Sequence, residues 1–257
     1  MLGKTFPRSK KRLHSIRRAF HTNNEGLTLL ESLVAIIVLT IAISTVTPPI
    51  FLAVATRVQN RKAEQAMQLA QKYTDRIRGI VEQGEYSNAQ LPKQADEDQP
   101  VNVPAPSDGF FRQDGNDVLD SNSDGGCNGF SSFDPSSMPA VNEAMKVDVN
   151  GDCEPDFFVQ IFRSNLEQQD ANELVTAFPM GVRVYSMAAE ENLNNNNLAQ
   201  IHTDNYLNKN NSQEASLTPT QGFGDQTEKP LAVIYTNVVY SEAQSGESLN
   251  WYRDLLN

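Results

Sequence analysis

Gly26-Leu27-Thr28-Leu29-Leu30-Glu31-Ser32-Leu33-Val34-Ala35-Ile36-Ile37-Val38-Leu39 opens a run in which the 25 residues between Glu31 and Arg57 carry no formal charge. As a helix, residues 32–56 rise roughly 37 Å at about 1.5 Å per residue. The hydrocarbon core of a bilayer is about 30 Å thick, so the run is long enough to cross it. Backbone groups in lipid must be satisfied within the segment, which favours one continuous helix. A cleaved secretory signal has an apolar core of only about 7–15 residues followed by a small-residue cut site. Here the run is longer, and Pro48-Pro49 replaces any Ala-x-Ala ending. An uncleaved signal anchor accounts for the length but not for Gly26 or Glu31.

The flanking charges set an orientation. Lys4, Arg8, Lys10, Lys11, Arg12, Arg17 and Arg18 precede the run against one acid, Glu25, and the nearest cations beyond it are Arg57, Arg61 and Lys62. The positive-inside bias puts residues 1–26 in the cytoplasm and the chain after about residue 57 across the membrane. Glu31 is the anomaly. A carboxylate deep in lipid costs up to roughly 2.5–3.5 kcal/mol, although at a helix start the positive end of the dipole offsets part of that. One reading makes Glu31 a first-turn acid in the headgroup layer. The other gives it a partner: an amine buried in a low-dielectric surrounding and a carboxylate from a neighbouring subunit relieve each other's burial.

With Gly26 five residues before Glu31, the stretch Gly26-Leu27-Thr28-Leu29-Leu30-Glu31 resembles the prepilin cleavage and methylation motif of type IV pilins and pseudopilins. The resemblance covers roughly residues 20–83. It implies that a prepilin peptidase cuts after Gly26, that Leu27 becomes the N-methylated amino terminus, and that Glu31, then the fifth residue, is the assembly acid. Pro48, with Pro49 beside it, stands where many members carry a helix-softening proline, implying a kink. Leu27 departs from the more usual Phe or Met, and Glu25 is an acid where leaders are commonly basic. The implied fold is α+β and pilin-like: a long N-terminal helix, transmembrane and then amphipathic, packed on a small antiparallel sheet with long loops.

The rest of the chain reads as follows. Residues 1–26 are a basic leader, removed on processing, and 27–56 are the transmembrane half of the helix. Residues 57–83 continue it, because Ala66, Ala70, Tyr73, Ile77 and Ile80 recur at steps of three and four while Arg61, Lys62, Glu64, Lys72, Asp75 and Arg76 supply a wet face. Gly84 is a stop signal. Residues 84–155 are rich in Pro, Asp and Gly with no long apolar run, which predicts a loop-rich connecting region anchored by Phe110, Phe111, Phe130, Phe133 and Met145. Residues 156–257 form the head. Its strands are predicted at 157–162, at 182–185 with period-two alternation, and at 231–240. The run Asn194-Asn195-Asn196-Asn197 reads as an exposed loop.

Cys127 and Cys153 fall on the exterior side, where a disulfide is the natural state. It would close a loop of about 26 residues, a contribution of roughly 3 kcal/mol by chain entropy. Acids cluster beside both cysteines. Asp120, Asn122 and Asp124 fit the opening of an EF-hand-type loop, and Asp148, Asn150 and Asp152 form a second alternating set; oxygen ligands at such spacing suit calcium. The first set lacks its closing glutamate, since residue 131 is Ser, and Gly151 precedes the third position of the second set. These departures favour a solvated acidic loop, with calcium as the alternative.

Catalysis is not expected. His14 and His21 leave with the leader, so His202 alone remains, short of a triad or a zinc site, and there is no phosphate-binding glycine loop or dinucleotide fingerprint. The whole chain carries net charge −11, and seven of its 21 cations sit in residues 1–26 with one of its 32 acids. The remainder is strongly acidic and would repel nucleic-acid phosphates.

The resemblance therefore implies a pseudopilin or minor pilin of a type IV pilus-like or type II secretion-like filament, serving polysaccharide or protein secretion. Its partners would be prepilin peptidase, other pilin-like subunits, the membrane, and an assembly platform with its ATPase. It would sit in the inner (plasma) membrane as a single-pass protein with its head in the periplasm, and reach the filament or cell surface after assembly. The Glu-Ser-Leu-Val-Ala start, acidic head and Asn-rich loop are similar to minor subunits, and to cyanobacterial pseudopilins associated with hormogonium polysaccharide secretion. Two alternatives stand: a minor pilin of a surface adhesion or motility pilus, and a single-pass anchored exterior binding module that does not polymerise.

Overall fold

The computed structural model describes residues 29–123, 125–169, 173–194, 224–240 and Arg253. It divides into two units at Pro49, the first being the apolar start of the long helix and the second the remainder of the chain. Helix α1 runs Leu29–Gln83, and large apolar side chains of its first part, among them Leu29, Ile36, Ile43, Phe51 and Val58, are open to the surroundings. It holds one stretch long and apolar enough to cross a membrane.

In the second unit α1 buries Ala66, Leu69, Ala70, Tyr73, Ile77 and Val81 along one stripe. Steps of three and four keep these positions on one face. The predicted stripe ends differently: Val81 is buried while Ile80 is only partly so. Gly84 stops the helix with φ of 73°, its N–H returning to the Val81 carbonyl at 3.1 Å. Only glycine adopts this conformation freely, and a Cβ there would lie 2.5 Å from the Tyr240 hydroxyl oxygen.

The stripe packs on a mixed sheet, not on a small antiparallel one. Its strands are β1 (Arg112–Gln113), β2 (Asn116–Ser121), β3 (Ser131–Ser132), β4 (Met145–Asp148), β5 (Phe157–Arg163), β6 (Gln168–Gln169), β7 (Val175–Ser186) and β8 (Ala232–Val239). The order runs β1-β2-β4-β5-β7, with β6 and β8 both on β7 and β3 on β2. Neighbours are antiparallel from β4 through β8, but β2 pairs parallel with both β3 and β4. A parallel pair needs a long crossover, and residues 122–144 supply it. Short helical turns follow β7 at Met187–Ala189 and in α2 (Glu190–Asn194).

The connecting region thus contributes four of the eight strands found among the described residues. They escape periodicity because β1 and β3 are two residues long and β2 reads Asn-Asp-Val-Leu-Asp-Ser. The anchors Phe110, Phe111 and Met145 are buried, and Phe130 and Phe133 partly so. The strands predicted at 157–162 and 182–185 lie within β5 and β7, and the one predicted at 231–240 exceeds β8 by one residue at each end.

The alternation read into residues 182–185 implies one wet face, yet all twelve residues of β7 are buried. One face of the sheet takes α1: Val159, Ile161, Val182 and Val184 share a core with Tyr73 and Ile77. The other face is covered by the connecting region, where Ala95 and Val103 pack with Phe162, and Ala105 and Phe110 with Phe158 and Tyr185. Arg183 points into this second layer and is fully buried. Its Nη1 donates to the carbonyls of Val103 at 2.8 Å and Pro104 at 3.2 Å, and its Nη2 to that of Pro100 at 3.2 Å. Nε and Nη2 also donate to the Tyr235 hydroxyl at 3.0 and 2.9 Å, and the guanidinium lies 4.9 Å from the Phe162 ring centroid. Five rigid donors let one buried arginine satisfy several carbonyls that the sheet itself cannot pair.

Candidate functional site

The first candidate is the start of α1. Gly26 and Leu27 lie outside the described residues. Glu31 stands in the first turn of α1 and is exposed, with Leu29 and Leu30 beside it at 85% and 72% exposure. An acid in a first turn is favourably placed against the helix dipole. Polar side chains further along are turned onto the helix backbone: the hydroxyls of Thr40, Ser44 and Thr47 donate to the carbonyls four residues earlier, at 2.7 Å each. This conceals their polarity within an apolar surface. α1 remains helical through Pro48 and Pro49, whose missing N–H groups remove the donors that would reach the carbonyls of Ser44 and Thr45.

The second candidate lies at the ends of β2 and β4. Cys127 and Cys153 are bridged, with an S–S distance of 2.06 Å and Cα atoms 5.4 Å apart. Beside them the buried Asp148 carboxylate accepts from the Ser121 hydroxyl at 2.6 Å and from the N–H groups of Gly151, Cys153 and Asn150 at 2.7, 2.9 and 3.1 Å. Burial pushes the Asp148 carboxyl up, but Ser121 and these three N–H groups outweigh it and hold it below the usual carboxylate range. Gly151 and Cys153 adopt positive φ, of 83° and 67°, which turns the backbone donors inward.

The two acidic stretches do meet, through the parallel pairing of Ser121 with Asp148 and the bond from Asn122 Nδ2 to the Val149 carbonyl at 3.1 Å. Their oxygens, however, are engaged separately. Asp120 accepts from Lys72 Nζ at 3.2 Å and the Tyr73 hydroxyl at 2.5 Å. Asn150 and Asp152 bond to each other, and Asp152 also accepts from the Glu154 N–H at 2.9 Å. Asp124 lies outside the described residues. Cys127, Asp148 and Cys153 bring ligand-type atoms together, but bridged sulfurs are not the thiolates that bind metals. What the arrangement does is make three fastenings: α1 to β2 through Asp120, β2 to the 149–156 turn through Asp148, and that turn to residue 127 through the disulfide.

Beyond the expected residues, Asp117 on β2 joins the buried Lys146 on β4 at 2.7 Å and the exposed Arg112 at 2.7 Å. Burial raises the Asp117 carboxyl, and its bonds to Lys146 and Arg112 pull it below its ordinary value. Lys146 Nζ also stands 4.2 Å from the Phe110 ring centroid. No spacing in the sequence signals this pairing, because Asp117 and Lys146 meet only once β2 and β4 are side by side.

Comparison of the chain with protein-family models, with curated proteins and with solved structures finds no match.

Proposed function

We propose that this chain is a pilin-like subunit, a pseudopilin or minor pilin. In this reading prepilin peptidase cleaves it between Gly26 and Leu27. The processed chain then joins other pilin-like subunits in a filament raised from the plasma membrane by an assembly platform and ATPase, in the service of secretion. The observation that carries the reading is the Gly26-Leu27-Thr28-Leu29-Leu30-Glu31 sequence, whose last three residues begin a helix with an exposed apolar start. A cleaved Leu27 would present a new amine, and Glu31 is an acid one turn into an otherwise uncharged run. Paired between subunits, each relieves the other's desolvation. A helix of 55 residues in which apolar surface gives way to an amphipathic stripe suits a subunit held in lipid at one end and in a folded head at the other.

The deciding measurement is intact mass and amino-terminal sequence of protein taken from its native membrane. A chain beginning at Leu27, with N-methylation, supports the reading; a chain still beginning at Met1 beside an active prepilin peptidase leaves only a tethered binding module. Glu31→Ala should abolish incorporation into filaments while membrane insertion persists, and normal co-assembly of that variant would remove Glu31 from the assembly role.

A further inference from the structure

We infer that Arg57, Arg61 and Lys62 form a headgroup clasp that binds the phosphates of anionic phospholipids at the exterior surface of the membrane. The inference rests on the membrane-spanning reading of α1. The cations further along the helix are engaged within the protein. Lys72 bonds Asp120 at 3.2 Å, the Arg76 guanidinium lies 4.9 Å from the Phe133 ring centroid, and Arg78 donates to Thr236 Oγ1 at 2.6 Å and stands 3.9 Å from Asp75. Arg57, Arg61 and Lys62 differ. All three are exposed, and among the described residues no carboxylate stands within ion-pair distance of them.

Their placement selects the partner. At about 100° per residue, Arg57 and Arg61 fall together on the side of α1 opposite the stripe of Ala66, Leu69, Ala70, Tyr73 and Ile77, so the sheet cannot reach them. By the same count Lys62 falls on the stripe's own side, one turn ahead of its first buried residue, so the three cations meet headgroups from both sides of the helix. The three follow directly on the uncharged run, which at roughly 37 Å already outlasts the hydrocarbon of about 30 Å. They therefore enter the headgroup layer, where the available anions are lipid phosphates. Long cationic side chains there keep their stems on apolar surface and their charge in the polar layer. Protein carboxylates are the rival partner, yet Glu64, one turn from Arg61, is itself exposed and in no ion pair with it. Placing cations on the exterior flank works against the positive-inside bias; phosphate binding supplies a physical reason for their presence there. Each cation near an anionic surface is worth roughly a fivefold preference.

The test uses the full chain in phosphatidylcholine vesicles, comparing its association with spin-labelled phosphatidylglycerol and spin-labelled phosphatidylcholine by electron paramagnetic resonance. The triple variant Arg57→Gln, Arg61→Gln, Lys62→Gln should lose at least about fivefold of the selectivity. The variant Arg57→Lys, Arg61→Lys should keep it, and salt near 1 M, where the Debye length is about 3 Å, should erase the difference. The leader's cations are common to all variants and cancel. Equal selectivity in wild type and triple variant, with both resistant to alkaline carbonate extraction, overturns the clasp and leaves the membrane span standing. Extraction of the wild type by carbonate overturns both. Loss of selectivity in millimolar inorganic phosphate, but not in chloride of matched ionic strength, would make the ligand free phosphate and overturn the lipid assignment.

Discussion

The two faces of the central sheet are covered in different ways. The face under α1 is closed by area: alanines, Leu69, Tyr73, Ile77 and Val81 meet the valines and isoleucines of β5 and β7. The opposite face is closed by residues 95–111, which hold few large apolar side chains and depend on Arg183, Gln160 and two small clusters. Gln160 Nε2 donates to the carbonyls of Pro104 at 2.9 Å and Val141 at 2.7 Å, so it works as Arg183 does. A helix satisfies its own backbone and needs only an apolar stripe to dock. An irregular segment brings unpaired carbonyls with it, and those must find donors before it can be buried. The difference is a division between hydrophobic and hydrogen-bonded adhesion within one head.

Four measurements test that contrast. Arg183→Leu should act most strongly. It keeps bulk but strands the carbonyls of Pro100, Val103 and Pro104, and we expect a loss of about 4 kcal/mol in denaturant unfolding, with earlier proteolysis within residues 95–111. A loss under about 1 kcal/mol would mean the covering layer adheres by its apolar contacts alone. Ile77→Ala probes the helix side. Removing a fully buried isoleucine should cost about 3 kcal/mol through lost burial and a residual cavity, with no early cleavage in the covering segment.

Replacing both Cys127 and Cys153 by serine should cost about 2–3 kcal/mol, since the bridge closes a loop of sequence separation 26. The effect should fall on the β2–β4 end, read as faster amide exchange at residues 149–156 than in β5. Uniform acceleration across the sheet would show that this end is not a separate element. The smallest effect is that of acid. Asp148 and Asp117 have carboxyls held below their unfolded values, so the stability they confer is complete above the ordinary carboxylate value near 4 and drains as pH falls through their lower folded values. Unfolding midpoints should therefore drop as the pH falls below the ordinary carboxylate value, and Asp148→Asn should flatten that slope. An unchanged slope would place the acid sensitivity elsewhere.

The legible parts were those that local periodicity encodes. The uncharged run announces an apolar helix, and Ala66, Ala70, Tyr73 and Ile77 announce the stripe that continues it, because a helical face repeats within a few residues. Gly84 marks the stop, and the apolar β-branched stretches of β5 and β8 mark the sheet. Residues 116–148 were opaque because β2 and β4 earn their place by parallel partnership across residues 122–144, and a strand such as Asn-Asp-Val-Leu-Asp-Ser has no signature apart from its neighbours. In the same way the spacing around Asp120 and Asp148 reads as a solvated acidic loop, with calcium as the alternative, and says nothing of the protein donors from α1, β2 and the 149–156 turn that the structure gives each carboxylate.

Contiguous residues thus encode an apolar helix, its passage into an amphipathic one, and the β-rich segments that follow. Tertiary structure alone decided that the sheet is mixed, that β7 is buried on both faces, and that Arg183 is an interior residue. Alternation along a strand tells which side chains share a face, but what covers that face is settled by segments 80 or more residues away.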